Sequence, residues 1–224
     1  LLILILGIYD DIHNLNAKTK LFIQIIIITI VIVLTEIQID SLGNLFLQSH
    51  SLELGLLSIP FTVIAVIGLI NAFNMIDGID GQAGTLAMVA IIGIIFCDFN
   101  LLGNGFYNLI LALFAGLVPF LIFNIISNNN TKVFLGDGGS LFIGFLISMS
   151  LIYSTQDLNV ITPRYALWCV AIPLFDFFGV VVLRKIEKRP LLSANRDHIH
   201  HFLNSFGLST TSVFLFTTFL AFTM

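Results

Sequence analysis

Apolar runs long enough to cross a membrane follow one another along the whole sequence, and this feature limits the possible folds more than any other. A membrane-spanning helix needs about 20 mostly apolar residues, with about 17–25 as the usual range. We find candidate spans at 20–37, 54–72, 83–97, 106–126, 139–153 and 164–183, and parts of further spans at 1–9 and 208–224.

The composition supports the same conclusion. The 224 residues are 58% hydrophobic and 10% charged, whereas a soluble domain is about 45–50% apolar and about 25% charged. We therefore predict an all-α, polytopic membrane helix bundle that forms one integral-membrane domain over residues 1–224. Because the chain begins without Met and inside an apolar run, we expect it to be a piece of a longer protein, with segments missing at both ends.

The few charged residues indicate how the bundle is oriented. If the spans alternate in direction, the loops at 10–20, 71–84, 127–138 and 184–207 share one face, and eight of the nine Lys and Arg residues lie on it. The positive-inside rule makes this face cytoplasmic. The net charge of −4 comes without a basic stripe, so we expect no nucleic-acid partner.

The first cytoplasmic loop contains two adjacent carboxylates, Asp10 and Asp11. Like charges about 4 Å apart near a protein surface repel by about 4 kcal/mol, so this pair favours a bound cation, a shared proton or a basic partner. On a continuous helix Asp11 and Lys18 would share a face. The alternative is a solvated helix end with a capping Asp.

The second loop carries Asn71, Asn74, Asp77 and Asp80 at intervals of three residues. On one α-helix these side chains would spread around the axis, so convergence on a ligand requires the helix to break. Glycines in the same stretch allow such a break. A simple turn is the alternative, but two Asp and two Asn between apolar helices favour a functional site.

The third loop, Lys132 to Ser140, contains Gly136, Asp137, Gly138 and Gly139 directly before a span. Successive glycines can turn backbone N–H groups towards an anion, and Asp137 offers a hard oxygen ligand. These features favour phosphate and a metal ion. An N-cap made by Asp137 or Ser140 is the alternative.

The fourth loop contains Arg196, His198, His200 and His201, a cluster suited to binding phosphates. Zinc is the competing interpretation of His-x-His-His, but the oxygen-rich partners in the other loops favour Mg²⁺. Asp176 lies inside a predicted span, where an ionisable residue has either a functional role or a polar partner in the bundle.

These motifs, in this order, resemble those of the polyprenyl-phosphate N-acetylhexosamine-1-phosphate transferase superfamily. The resemblance extends from the first residues to about Phe206. The His-Ile-His-His form is similar to the bacterial branch that transfers N-acetylglucosamine-1-phosphate from its UDP-sugar to undecaprenyl phosphate. The phospho-N-acetylmuramoyl-pentapeptide branch, which more often has Pro-x-His-His-His, is the alternative.

The resemblance implies a role for each motif residue. Asn74 and Asp137 would hold Mg²⁺, for which Mn²⁺ is a possible substitute. The implied catalytic residues are Asp10, Asp11, Lys18, Asp77 and Asp80, and the implied substrate-binding residues are Asn71, Phe134, Arg196, His198, His200 and His201. The stretch from Asn124 to Phe134 is longer than the family pattern, which puts contacts of 127–131 with the uracil in doubt.

The resemblance also implies the reaction and its setting. A UDP-N-acetylhexosamine would donate a sugar phosphate to undecaprenyl phosphate at the cytoplasmic face of the bacterial inner membrane, release UMP and initiate a cell-envelope glycan such as O-antigen lipopolysaccharide. A homodimer is possible in such a protein. The alternatives from other classes are a secondary transporter, which also uses broken spans with polar groups, and a catalytically inactive scaffold.

Overall fold

The computed structural model describes residues 1–44, 51–97, 105–127, 131–190 and 198–224, except for the side chain of His200. In this part of the chain a single antiparallel bridge joins Ser41 to Glu53, a 3₁₀ turn at Gly55–Leu57 leads into a helix, and a π-helical turn at Ile122–Ile126 continues another. The α-helices are α1 (Leu2–His13), α2 (Ala17–Thr35), α3 (Ser58–Ile76), α4 (Gln82–Cys97), α5 (Gly105–Leu121), α6 (Gly136–Gln156), α7 (Pro163–Cys169), α8 (Ala171–Ile186), α9 (Ile199–Ser205) and α10 (Thr210–Thr223).

The helices confirm an all-α membrane protein with several spans. Among the described residues, four helical stretches are long and apolar enough to cross a membrane, namely Ala17–Thr35, Gly55–Ile76, Gly105–Ile126 and Gly136–Gln156. Shorter apolar helices at Gln82–Cys97 and Thr210–Thr223 coincide with two more of the predicted spans.

The predicted span at 164–183 is broken in the structure. The structure divides it into α7 and α8, which meet at an angle of 81°. Pro173 explains the break, because proline has no N–H group and its ring clashes with the carbonyl of the residue four positions earlier. That residue is Cys169, where α7 ends.

The first two helices are also separate, so the continuous helix that would place Asp11 and Lys18 on one face does not form. Asn14 follows α1 in the left-handed conformation, with φ of 51°. The side chain of Asn16 then caps α2 by accepting a hydrogen bond of 3.1 Å from the backbone N–H of Lys18.

Helix α6 forms the centre of the bundle. In its 18-residue apolar stretch 72% of the residues are buried, compared with 17% in the corresponding stretch of α2. It packs against α1 and α3. A Cβ atom on Gly144 would lie 2.8 Å from the Cα of Ile70 in α3, so only glycine permits this close approach.

Hydrogen bonds assign the loops to the two ends of the bundle. At one end, the side chain of Gln156 in the last turn of α6 accepts hydrogen bonds of 3.0 Å from the backbone N–H groups of Asp40 and Ser41. At the other end, the end of α1 and the starts of α2 and α6 meet the end of α3. The described parts of three loops predicted to share one face, 10–20, 71–84 and 131–138, therefore lie together.

Candidate active site

Asp137, in the first turn of α6, is the centre of a polar cluster at this end of the bundle. The Lys20 ammonium of α2 pairs with Asp137 and also with Asp10 of α1, whose Oδ2 lies 2.7 Å from Nζ. The other Asp10 oxygen accepts a 2.7 Å hydrogen bond from the backbone N–H of Leu15. Lys20 thus neutralises two carboxylates that come from two different helices.

Asn74 connects α3 to the same cluster. Its Nδ2 donates hydrogen bonds of 2.8 Å to Asp137 Oδ1 and 2.9 Å to Ser140 Oγ. Ser140 in turn donates to the carbonyl of Gly136, one turn earlier in α6. Asn74 and Asp137, the two predicted metal ligands, are therefore in direct contact.

The carboxylate of Asp11, near the end of α1, lies at the start of α6. Its two carboxylate oxygens accept hydrogen bonds from the backbone N–H groups of Asp137 at 2.8 Å and Gly138 at 3.0 Å. The first N–H groups of a helix have no partner within the helix, so a carboxylate stabilises them. The sequence suggested these N–H groups as an anion nest for phosphate, but in the structure their anion is the carboxylate of Asp11.

The glycines beside Asp137 and opposite it permit this arrangement. Gly136 has φ of +64°, and a Cβ there would lie 2.8 Å from Asp11 Oδ2. On α1, a Cβ on Gly7 would lie 2.5 Å from the Cα of Gly138. The glycines therefore allow α1 and α6 to approach closely enough for Asp11 to reach the helix start.

Asp77 and Asp80 lie in the loop between α3 and α4, where the predicted break occurs and where Gly81 has φ of +72°. Burial, together with the charges of Asp137 and Asp80, raises the pKa of Asp77 to about 7. Asp80 pairs with Lys132, whose Nζ lies 5.7 Å from the centre of the Phe134 ring. The Phe134 ring itself is 70% exposed, as a surface for stacking requires.

The histidine motif begins at a buried carboxylate. Asp176 of α8 is 5% exposed, and its oxygens lie 2.6 Å from the backbone N of Ile199 and 3.1 Å from His198 Nδ1. Helix α8 packs against α3, which carries Asn74. The polar partner in the bundle that the sequence left open for Asp176 is thus His198.

Comparison with known proteins identifies the family. The sequence-family model of glycosyl transferase family 4 matches residues 1–155. This chain belongs to glycosyl transferase family 4.

Curated members of the family extend the match. The chain is 34% identical over 212 residues to a protein of Bacillus subtilis (strain 168) named "Probable undecaprenyl-phosphate N-acetylglucosaminyl 1-phosphate transferase", with 93% of this chain and 57% of that protein aligned. It is 36% identical over 222 residues to a protein of Haemophilus influenzae named "Undecaprenyl-phosphate alpha-N-acetylglucosaminyl 1-phosphate transferase", with 98% and 62% aligned. The chain thus spans about three fifths of the length of these relatives.

The structure brings some of the predicted site residues of this family 4 protein together. Asp10, Asp11, Asn74 and Asp137 form one contiguous cluster. Arg196 and the side chain of His200 lie outside the described residues, and His201 lies half-buried in α9. The side-chain roles predicted for this whole set stay predictions.

Two of the predicted site residues, Asn71 and Lys18, form no hydrogen bond or ion pair with the Asp137 cluster within the described part of the chain. Asn71 lies one turn deeper than Asn74, where its Nδ2 donates to Gln24 Oε1 at 3.0 Å and to the carbonyl of Ile67. Lys18 is exposed in the first turn of α2, whereas Lys20 faces the carboxylates. Residues two apart on a helix do not share a face, so only one of these lysines can point to Asp137.

Lys20 and Gln24 are the site residues that the sequence did not single out. Gln24 is fully buried in an apolar helix, one turn deeper than Lys20. A start of α2 at Ala17 places Lys20 and Gln24 four residues apart on one face. The Lys-x-x-x-Gln spacing could therefore have indicated two polar residues on one face of α2. That inference requires knowing where α2 begins.

Proposed function

We propose that the full-length protein transfers N-acetylglucosamine-1-phosphate from UDP-N-acetylglucosamine to undecaprenyl phosphate and releases UMP. The observation that carries this proposal is the convergence of Asp10, Lys20, Asn74 and Asp137 at one end of a membrane bundle. The names of the family 4 relatives support the acceptor and the sugar.

The residues at this site suit Mg²⁺. The metal prefers oxygen ligands and is commonly held by one or two carboxylates together with substrate phosphates. Asp10 and Asp137 already direct oxygens at one cation, the Lys20 ammonium, and the Asn74 amide lies next to them. We propose that Asp137 and Asn74 hold Mg²⁺, which when bound would stabilise negative charge on the diphosphate.

No trio of His, Cys, Asp or Glu within the described residues has a metal-binding arrangement. This is compatible with Mg²⁺, because one or two carboxylates suffice when substrate phosphates complete its ligands. The zinc alternative stays untested, since the side chain of His200 lies outside the described residues.

The proposed reaction is a phosphoryl transfer. An oxygen of the lipid phosphate attacks the β-phosphorus of the UDP-sugar, the bond from that phosphorus to the bridging oxygen breaks, and UMP leaves with that oxygen. A lipid phosphate is already ionised at neutral pH, so the chemistry requires no strong general base. Both oxygens of Asp10 are engaged, by Leu15 and Lys20. We therefore propose that Asp10 positions the Lys20 ammonium. The positive charge of Lys20 would stabilise the negative charge on the phosphates in the transition state.

The lipid substrate also has room in the structure. An apolar cavity of about 970 Å³ lies among α2, α3, α6, α7 and α8. Its lining includes Leu21, the residue after Lys20, and reaches Phe177 of α8. A polyprenyl chain in this cavity would keep its phosphate near the polar end of the bundle, where we place the cytoplasmic face of the bacterial inner membrane.

The other candidate functions fit less well. A secondary transporter holds its substrate near the middle of the membrane, whereas the Asp137 cluster lies where helices begin and end. The names of the matched relatives specify N-acetylglucosamine, which favours that donor over the phospho-N-acetylmuramoyl-pentapeptide donor.

The direct test of the proposed donor is UMP release by the full-length protein in membranes supplied with undecaprenyl phosphate and different UDP-sugars. We expect release with UDP-N-acetylglucosamine and little with UDP-N-acetylmuramoyl-pentapeptide. The opposite preference would show that the protein acts as a member of the phospho-N-acetylmuramoyl-pentapeptide branch. UMP release with neither donor would favour the inactive scaffold.

A further inference from the structure

Gln24 of α2 and Asn71 of α3 join the two helices through their side-chain amides. Gln24 is fully buried, and its Oε1 accepts a 3.0 Å hydrogen bond from Asn71 Nδ2. The same nitrogen donates its second hydrogen to the carbonyl of Ile67, one turn earlier in α3, at 2.8 Å. The contact with its own helix therefore fixes the direction in which the Asn71 amide meets Gln24.

Stability alone does not explain this amide pair. Gln24 Nε2 is buried and has no hydrogen-bond partner among the described residues. A buried donor without a partner destabilises a protein, whereas replacing both members of a buried polar pair by apolar groups of similar shape is nearly neutral or stabilising. A pair that lowers stability in this way is typical of a position where function requires it.

The pair lies one helical turn from two residues of the Asp137 cluster. Lys20 is four residues before Gln24 on α2, and Asn74 is three residues after Asn71 on α3. Residues at these spacings share a helix face. A hydrogen bond at this level fixes how far α2 is shifted along α3. It thereby sets the positions of Lys20 and Asn74, which both bind Asp137.

Apolar packing alone constrains the position of α2 weakly. The buried residues of this helix are Gln24, Ile28 and Ile32. Apolar side chains can pack in several neighbouring arrangements, whereas the distance and direction of a hydrogen bond restrict an amide pair to one. A single buried polar residue fixes the register of helices in coiled coils in the same way.

We propose that Gln24, through its hydrogen bond to Asn71, is a positioning residue for the Lys20 ammonium. The hydrogen bond holds this ammonium in register with the proposed metal ligands on α3 and α6. The inference rests on the proposed function, because that function gives the charge of Lys20 its task. Neither amide touches the substrate, so Asn71 has a different role from the substrate binding that the family resemblance implies.

The paired substitution Gln24→Leu with Asn71→Leu separates positioning from support of the fold. It removes the unpartnered Nε2 together with the hydrogen bond, so we expect Tm at or above the wild-type value. The assay uses the full-length protein in detergent with UDP-N-acetylglucosamine and undecaprenyl phosphate. We expect kcat for UMP release to fall about tenfold, part of the roughly 100-fold that a 1 Å misplacement can cost. KM for the nucleotide sugar should change by less than about twofold.

Exchanging the two amides provides a rescue variant. Gln24→Asn with Asn71→Gln keeps the summed length of the two side chains, so the hydrogen bond between the helices can form again. We expect kcat within about threefold of wild type, whereas Gln24→Asn alone should show a loss like that of the double leucine variant. Ser150→Ala is the matched control, because its buried hydroxyl bonds within α6, to the carbonyl of Leu146, and kcat should stay near wild type.

Three kinetic results would overturn the positioning role. The first is a wild-type kcat in the double leucine variant. The second is an exchange variant that is no more active than Gln24→Asn alone. The third is a raised KM with an unchanged kcat, because Asn71 would then contact the nucleotide sugar itself.

Thermal unfolding keeps this test apart from the test of the proposed function. Lys20→Met should lower Tm clearly more in the wild-type background than in the double leucine variant, because an ammonium without a fixed register contributes less to stability. Equal losses of Tm in the two backgrounds overturn the positioning of Lys20, whatever the activity is. If the Tm losses differ but the wild-type protein releases no UMP with any UDP-sugar, the proposed function fails and the positioning of Lys20 by Gln24 stands.

Discussion

The substitution Gly7→Ala tests the close contact between α1 and α6 on which the site depends. The added Cβ would lie 2.5 Å from the Cα of Gly138 and 2.6 Å from its N and from the carbonyl oxygen of Asp137. All three are backbone atoms, which cannot move aside by changing a rotamer. Ordinary carbon contacts are about 3.5–4.0 Å, so α1 and α6 must separate by about 1 Å.

Separating the two helices lowers the free energy of unfolding. The Asp11 hydrogen bonds of 2.8 and 3.0 Å to the start of α6 would both lengthen beyond hydrogen-bond range unless the Asp11 side chain turns to keep one of them. Overpacking costs about 1–3 kcal/mol, and each lost charge-assisted hydrogen bond costs about 1.5–3 kcal/mol. Alanine regains about 0.5–1 kcal/mol of helix propensity. If one hydrogen bond survives, the net loss is about 2–5 kcal/mol.

The assay measures Tm and UMP release for the full-length protein in detergent with undecaprenyl phosphate. We expect a clearly lowered Tm and a fall in kcat of about 100-fold, as a 1 Å misplacement of catalytic groups can produce. Gly116→Ala and Gly179→Ala are matched controls, because these glycines are helical and nothing lies within 4 Å of the added Cβ. They should leave both quantities near wild type. Wild-type Tm and kcat in Gly7→Ala would refute the role of this contact.

Further predictions concern the charged groups of the site. Lys20→Met should abolish most UMP release and lower Tm, because removing one partner of a buried ion pair costs about 3–5 kcal/mol, whereas Lys18→Met should retain substantial turnover; equal losses would contradict the assignment of Lys20. Asp77 has a pKa of about 7 in the folded protein, above its ordinary value, so the free energy of unfolding should fall as pH rises from about 4 to 7 and level off above. Tm measured between pH 5 and 8 in EDTA checks this, and a pH slope that is unchanged in Asp77→Asn would exclude Asp77 as its source. Lys132→Met should weaken UDP-sugar binding several-fold by freeing Asp80 and removing a cation from the Phe134 ring; calorimetric titration measures this, and unaltered affinity would place the nucleotide elsewhere.

The membrane bundle could be predicted from the sequence because hydrophobic length is a local property. The spans and the shared end of three polar loops follow from apolar runs and the placement of Lys and Arg. The break between α7 and α8 could have been expected from Pro173, but an apolar run hides it. Membrane helices tolerate proline when neighbouring helices satisfy the freed backbone groups.

The detailed geometry of the site could not be predicted, because it depends on contacts between distant segments. Asp11 was singled out for its charge, yet its partners are N–H groups 126 and 127 residues away. The choice of Lys20 over Lys18 depends on where α2 starts, which Asn14 and Asn16 determine. Asp176 was recognised as unusual, but its partner His198 emerges only when α9 returns to α8.

The fate of the β-phosphate is the most direct test of the central claim. UDP-N-acetylglucosamine labelled with ³²P at the β-position is given to membranes that contain the full-length protein, undecaprenyl phosphate and Mg²⁺. The proposed reaction predicts that the label enters the lipid and that unlabelled UMP is released, both lost in Asp137→Asn by about 100-fold or more. Label that remains in UDP while sugar enters the lipid, or normal transfer by Asp137→Asn, would contradict it.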